Sequence, residues 1–433
     1  MSCTRRAFLH AGAALGAALP LTPLFAQTRP ELLPASQRQR VVVVGGGWGG
    51  LAAARYLRQQ APELEVVLLE KNASFWSCPL SHKWLAGLVD TSRLVHDYGA
   101  AAKAFGYTFV QAEVEAIEPE RRRIVTPQGN LGYDWLVLAV GIGYDYGAWF
   151  GDDQRAAAQA RAQYPGAFIP GTEFQALKRK LEDFRGGDLV MTVPPAPYRC
   201  PPAPYERAAV IGWWLKRHNI PGRLIVLDPN PAMPAFSRLF SDQFKAQISY
   251  MPHSRVTSVD PFQRRIVTEF DDLTFSDALL APPQQAGLLA WQAGLIGRES
   301  DGKPTGWADV DPLSLQARGD ARIFLVGDMI GKVSPLFGHY PKSGHLAARL
   351  GAIAAGQIAA RAQGREAPLA LPDSTCYVMA SLEPQELLRL DAQYRVRGDG
   401  LIAQTVKQTY DPNPRGEDEQ WAAGMFRELL ASS

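Results

Sequence analysis

After Arg40, the four residues Val41-Val42-Val43-Val44 form an unbroken apolar run that breaks into the glycine turn GGGWGG and then into a helical stretch over residues 51–60. Continuous rather than alternating hydrophobicity predicts a strand buried on both faces of a parallel sheet. The same kind of run recurs over residues 65–69, 133–143, 189–193, 224–227 and 321–328. Longer stretches over residues 346–360 and 417–430 read as helices, the second with Trp421, Met425, Phe426, Leu429 and Leu430 on one face and acids in its first turn. Buried strands alternating with helices predict an α/β chain with parallel sheets. We read residues 38–165 and 291–365 as two pieces of one nucleotide-type domain. Residues 166–290 read as a second such domain, and residues 366–433 as a small α+β unit beginning in strand-like runs.

The first turn carries specific chemistry. Gly45-x-Gly47-x-x-Gly50 lies between strand and helix, and the next strand run ends in Glu70. Gly45 allows the tight turn, Gly47 the close approach of a pyrophosphate, and Gly50 the packing of helix on strand. Amides at the helix start face the diphosphate, and Glu70 is placed for the adenosine ribose. The run at 133–143 ends in a turn at Gly141, and the run at 321–328 ends in Gly327-Asp328. Pro341-Lys342-Ser343-Gly344 opens the helix over 346–360, with proline near the first turn. In the second domain the strand over 189–193 is followed by PPAPYRCPPAPYER. Prolines there remove the free amides a phosphate-cradling turn needs, so that domain is expected not to bind NADH.

Charge adds little, since 45 basic and 43 acidic side chains nearly cancel. No net field draws the chain to nucleic acid or an anionic membrane. The start is more informative: Arg5-Arg6 precede an apolar run over residues 11–19 and a small-residue end near Ala26. Residues 1–26 therefore read as a twin-arginine signal peptide, which implies a periplasmic protein exported after it has folded around its cofactor. The apolar run is too short for a bilayer of about 30 Å, and no integral membrane segment is expected in the mature chain. Beyond this segment the chain has three cysteines, Cys78, Cys200 and Cys376. With no Cys-x-x-Cys pair, neither a structural metal site nor an attached c-type haem is expected. If two of the three form a disulfide, the third is left over.

Several of these segments resemble one family. The supporting turns at Gly141 and Gly327-Asp328 resemble those of the FAD domain in the pyridine-nucleotide disulfide reductase superfamily. That likeness implies two Rossmann-like three-layer dinucleotide-binding domains in a glutathione-reductase-like arrangement plus the small C-terminal unit. Cys200-Pro-Pro-Ala-Pro-Tyr-Glu-Arg207, Phe75-Trp-Ser-Cys-Pro79, the PKSG turn and Ser374-Thr-Cys-Tyr377 resemble the flavoprotein subunit of flavocytochrome c sulfide dehydrogenase. The resemblance implies FAD held covalently through Cys78, against the plainer reading of a buried free cysteine. It implies a redox-active Cys200–Cys376 disulfide, a pair that sequence alone leaves equally open to a purely structural bridge. It places Glu206 near that disulfide as a proton carrier, where an ordinary glutamate would pair with Arg207 or another base at the surface. The cofactor set it implies is Gly45, Gly47, Gly50, Glu70, Cys78, Gly141, Gly327, Asp328, Lys342 and Ser343. His82, His339 and His345 lie near these motifs and are assigned no role.

The implied activity is oxidation of hydrosulfide, a small inorganic sulfur substrate, to persulfide or polysulfide sulfur, with electrons passing through FAD to a separate c-type cytochrome subunit. Two rivals stand beside it: a sulfide:quinone oxidoreductase, and a non-catalytic flavoprotein or sulfane-sulfur carrier. The segment VSPLFGHY over residues 333–340 and the tryptophan-rich stretch 76–84 depart from the family pattern beside the expected flavin site.

Overall fold

The computed structural model describes residues 29–432; the expected twin-arginine signal, residues 1–26, lies outside them. β1 (Arg40–Val44), α1 (Trp48–Gln60) and β2 (Glu65–Glu70) form the first unit, with Arg40 paired to Glu65 and Val44 to Leu69 in parallel register. The helix begins three residues before the expected Leu51, because Gly49 and Gly50 form its first turn instead of remaining in the loop. After the short α2 (Ser81–Leu85) come α3 (Tyr98–Phe105), β3 (Thr108–Gln111), a three-stranded antiparallel flap within residues 116–132, and β4 (Trp135–Leu138).

The second sheet follows α4 (Thr172–Asp183). It comprises β5 (Gly187–Thr192), β6 (Gly222–Asp228), β7 (Ile248–Pro252) and β8 (Asp277–Leu279), with α5 (Ala203–Arg217) between the first two. All four strands run parallel in the order β7-β6-β5-β8. The chain then returns to the first sheet through β9 (Gln316–Ala317) and β10 (Asp320–Leu325). The completed order is β9-β10-β4-β1-β2-β3, parallel except at the β9 edge. The valines and leucines of β1, β2 and β4 have almost no solvent exposure, as a sheet covered on both faces requires.

α6 (Gly344–Ala362) packs on α1. Its N-cap is Ser343, whose hydroxyl accepts from the Leu346 amide, so Pro341 lies outside the helix and not in its first turn. The last unit is an antiparallel sheet of β11 (Asp373–Leu382), β12 (Gln385–Val396) and β13 (Ile402–Asp411), closed by α7 (Glu417–Leu430). α7 docks its apolar face on α1 and α3. The 333–340 segment packs on this unit: the Ser334 hydroxyl donates to the Ile402 carbonyl, and Phe337 and Tyr340 meet Tyr394. No helix among the described residues is long and apolar enough to cross a membrane.

Candidate active site

One cavity of about 1170 Å³ runs from the Glu70 end of the glycine turn, past Gly141 and Gly327-Asp328, to the three cysteines. The turn that starts it is a backbone cradle. Gly45 has φ +100°, and a Cβ there would lie 2.5 Å from the Ala139 carbonyl oxygen. A Cβ on Gly50 would lie 1.9 Å from the Gly45 oxygen, so helix and strand meet there without room for a side chain. At Gly47 nothing lies within 4 Å, leaving open the space a diphosphate takes at a helix start. Glu70 accepts from the Gly46 amide at 2.8 Å and from Asn72, which fixes the turn against the second strand. The indole N–H groups of Trp48 and Trp421 and the Nε2 of His82, all on residues lining the cavity, are buried with no hydrogen-bond partner among the described residues. The open cradle and these unpartnered polar atoms fit a bound dinucleotide such as FAD.

Asp328 lies on this cavity, and its carboxylate accepts from Arg199 Nε at 2.6 Å. Arg199 also donates to the Phe168 carbonyl, and its backbone amide donates to Gln284. Its positive charge opposes the effect of burial on Cys78, whose thiol burial nevertheless pushes up to about 11. Nothing in the sequence marks Arg199 beyond its place beside Cys200, because its partner lies more than a hundred residues away.

Lys342 is placed differently from the expectation. Its ammonium donates to the carbonyls of Asp328 at 2.7 Å and Ile330 at 2.9 Å and lies 3.6 Å from the centre of the Trp307 ring. Two of its three donors are used by the protein itself, so Lys342 holds the Asp328 turn in place while its side chain also lines the cavity. Ser343 lines the cavity as the cap of α6.

The three cysteines converge, and all are free thiols in this structure. No Cys200–Cys376 bond is present in this structure. Cys200 precedes α5 with φ +51°, its amide donating to the Lys342 carbonyl at 2.7 Å, while Cys376 lies on β11. The Cys376 charge is near enough to add to burial in holding Cys200 well above the ordinary thiol range, while burial and the Glu206 charge push Cys376 up to about 12.

Glu206 is not at the surface and does not pair with Arg207. It is 5 % exposed, its carboxylate accepting from the Met379 amide at 2.7 Å and lying 3.7 Å from His82 Nδ1. Arg207 instead donates to the Ala167 carbonyl and sits over Phe168. Burial raises Glu206 despite the opposing charge of His82, and burial lowers His82 despite Glu206. His345 takes a scaffold role, accepting from the Thr375 amide at 3.0 Å through Nδ1.

These features define a class: an α/β flavoprotein with a dinucleotide cradle and cysteines at the far end of one cavity. Residues 39–146 match the pyridine nucleotide-disulphide oxidoreductase family, and residues 174–280 match the central part of the sulfide dehydrogenase [flavocytochrome c] flavoprotein chain. Together these matches support a flavoprotein of the pyridine nucleotide-disulphide oxidoreductase superfamily, of the sulfide dehydrogenase flavoprotein type. It is 25% identical to a sulfide-quinone reductase of Aquifex aeolicus (strain VF5) over 235 residues, 52% of this chain and 53% of that protein. It is 30% identical to a type II NADH:quinone oxidoreductase of Staphylococcus aureus (strain NCTC 8325 / PS 47) over 110 residues, 25% of this chain and 27% of that one. The chain thus matches about half the length, or less, of these relatives. Among solved structures, the sulfide:quinone oxidoreductase of Aquifex aeolicus superposes with a TM-score of 0.67 at 18% identity, covering 91% of each chain. An NAD-dependent persulfide reductase from A. fulgidus gives 0.58 at 16% identity over 90% of this chain and 77% of that one. At such identities these likenesses show the fold.

Proposed function

We propose that this protein is the flavoprotein of a periplasmic sulfide dehydrogenase, taking two electrons from hydrosulfide at Cys200 and Cys376 and delivering them to a c-type cytochrome. The observation that carries the reading is the convergence of Cys200, Cys376, Glu206 and Cys78 on one end of the cavity that begins at the glycine turn. Bound FAD supplies a carrier that takes electrons in pairs and releases them singly. The glycine turn and the Asp328 loop hold the cofactor's length, and Cys78 anchors it through a thioether, with the Arg199 charge beside that thiol favouring its ionised form. In the oxidised form Cys200 and Cys376 are joined. Hydrosulfide attacks one sulfur, leaving a persulfide on that cysteine and a thiolate on the other. Glu206, buried beside both thiols, moves the proton that this thiolate gains or loses.

The cytochrome as acceptor is supported by the match of residues 174–280 and by the second sheet. At the end of β6, where a nucleotide-type domain uses an acid for a ribose, Asp228 is fully buried. It accepts from Tyr205 at 2.7 Å, Tyr250 at 2.8 Å and Asn230, so its carboxylate is already committed within the protein. A second reading, a quinone acceptor, is favoured by the similarity to the Aquifex sulfide-quinone reductase.

Mixing the purified protein anaerobically with sulfide and either cytochrome c or a soluble quinone separates the two. The expected result is sulfide-dependent haem reduction that Cys200→Ser abolishes; reduction of quinone alone establishes the second reading, and reduction of neither removes both. The thioether is tested by acid precipitation. Flavin absorbance should stay with the pellet of the native protein and move to the supernatant in Cys78→Ala.

A further inference from the structure

His82 lies on α2, and Glu206 lies on α5 in the other nucleotide-type unit. Their side chains are 14% and 7% exposed, and His82 Nδ1 is 3.7 Å from Glu206 Oε1. The carboxylate has one hydrogen bond in the structure, from the Met379 amide, although an ionised carboxylate accepts several. The charged neighbours that could compete for it are occupied. Arg207 is turned to the Ala167 carbonyl, and Lys83, beside His82 on the same helix, reaches Asp418 and Glu419 on α7. On the far side of His82, Nε2 is buried without a partner, on a residue that lines the cavity. An imidazole pinned only by packing would turn that nitrogen to a carbonyl or to solvent; here one nitrogen faces a buried acid and the other has no partner among the described residues.

We propose that His82 and Glu206 share one proton and act as a unit that exchanges it with the cysteine thiols, His82 being the positioning residue that acts through Glu206. The 3.7 Å gap is longer than a hydrogen bond and closes on a small tilt of the ring, as apo acid–base pairs commonly do. The proton balance is simple. When Cys376 ionises, its S–H bond breaks and an O–H bond forms at Glu206, or an N–H bond at His82 Nδ1 with the carboxylate left charged beside it. One negative charge moves from the pair to sulfur, and no oxidant or co-reactant enters. Electrostatics supply the reason for a shared proton: a Glu206 that stayed ionised would oppose both thiolates, since its charge is among the causes that raise Cys200 and Cys376. Accepting the proton removes that opposition at the moment the thiolate forms. The unpartnered Nε2, on a residue that lines the cavity, is then the outlet for the proton. The other charges facing the pair are Lys83, Arg207 and Asp418.

The purpose of the device rests on the sulfur chemistry proposed above, but its existence is measured without sulfide or any electron acceptor. The reduced, flavin-containing protein is alkylated with iodoacetamide across pH, the rates at Cys200 and Cys376 being resolved by mass spectrometry. The native profile should show two inflections, the lower one belonging to the pair. In His82→Gln that lower inflection should fall, because the pair loses one of the two sites that hold its proton. In Glu206→Gln it should vanish, and the double variant should match Glu206→Gln, because His82 acts only through the acid. An unchanged profile in His82→Gln, or a double variant that departs from Glu206→Gln, overturns the proposal. Should a variant fail to fold, ring-nitrogen titration of the seven histidines in the native protein decides instead. One midpoint should move when the thiols are alkylated, and no movement overturns the proposal. A protein that shares the proton yet oxidises no sulfide keeps this inference and loses the reading it serves.

Discussion

Lys342 places an ammonium where there is almost no water, and burial lowers it to about 7 although Asp328 draws the other way. An unfolded lysine titrates near 10.5, so between pH 7 and 10.5 the unfolded chain holds more of this proton than the folded one. Stability from this group therefore rises with pH through that window, and the full cost is present below pH 7. Comparing urea midpoints of the native protein and Lys342→Met from pH 7 to 10 isolates the effect. The native protein should gain on the variant as pH rises, and a constant difference would count against the assignment. In the sequence Lys342 stands in a helix-opening turn, and the family resemblance implied that it binds the cofactor. Its carbonyl partners at Asp328 and Ile330 and its ring partner Trp307 come together only in the fold. Glu206 and Arg199 share that difficulty, since each is defined by a partner from a distant segment, His82 in one case and Asp328 in the other. The glycine turn was legible because every part of its chemistry is local.

Helix α1 is held close to β1 and α6 by glycines: Gly50 and Gly351 leave no room for a methyl group, and Gly49 leaves little. A Cβ on Gly351 would lie 2.1 Å from the Gly49 carbonyl oxygen, and one on Gly49 would meet the Ala347 oxygen at 3.2 Å. Gly351→Ala must push α6 away from α1, and because Ser343 and Gly344 at the start of α6 line the cavity, the shift carries into the cofactor site. The expected result is a loss of about 1–3 kcal/mol, as overpacking typically costs, together with a lower flavin-to-protein ratio after purification. Native stability with full flavin content would show that α6 yields without consequence. Apolar runs predicted both of these helices and the strands β1, β2, β4 and β10 of the first sheet and β5 and β6 of the second, because period and continuity are properties of the segment itself; the edge strands β3, β7, β8 and β9 carry no such run. The α1–α6 contact was not legible, since Gly351 reads in sequence as an ordinary small residue in an alanine-rich helix. The strand ladder that carries Cys376 was seen only as strand-like runs. Its pairing of β11 with β12 and β13 depends on residues 385–411, whose exposed face alternates weakly.

At the scale of the whole molecule, the site is assembled by a C-terminal unit that folds back over the cofactor domain. α7 places Phe426 5.9 Å from Trp48 in a stacked pair, Glu428 accepts from Tyr56 at 2.6 Å, and the Ser432 hydroxyl meets His96 at 2.8 Å. The innermost tie is Lys83 on α2, which reaches Asp418 at 2.7 Å and Glu419 at 2.8 Å. Lys83 and Asp418 are each 3% exposed, whereas Glu419 is 40% exposed. This unequal exposure makes the two halves of the tie respond differently to substitution. Lys83→Met strands Asp418 as a buried charge with no cation, which should cost about 3–5 kcal/mol. Asp418→Asn leaves Lys83 paired to Glu419 and keeps a polar acceptor in place, so its cost should be smaller. Because Asp418 and Trp421 line the cavity and β11 carries Cys376, the Lys83→Met protein should also release α7 from the cavity rim. Amide exchange over residues 417–430 should then rise in that variant well before exchange in β1 and β2, with the urea midpoint falling further than in Asp418→Asn. Equal losses in the two variants, or exchange that rises in the whole chain at once, would mean that the ion pair is incidental and that the apolar face of α7 alone holds the C-terminal unit over the site.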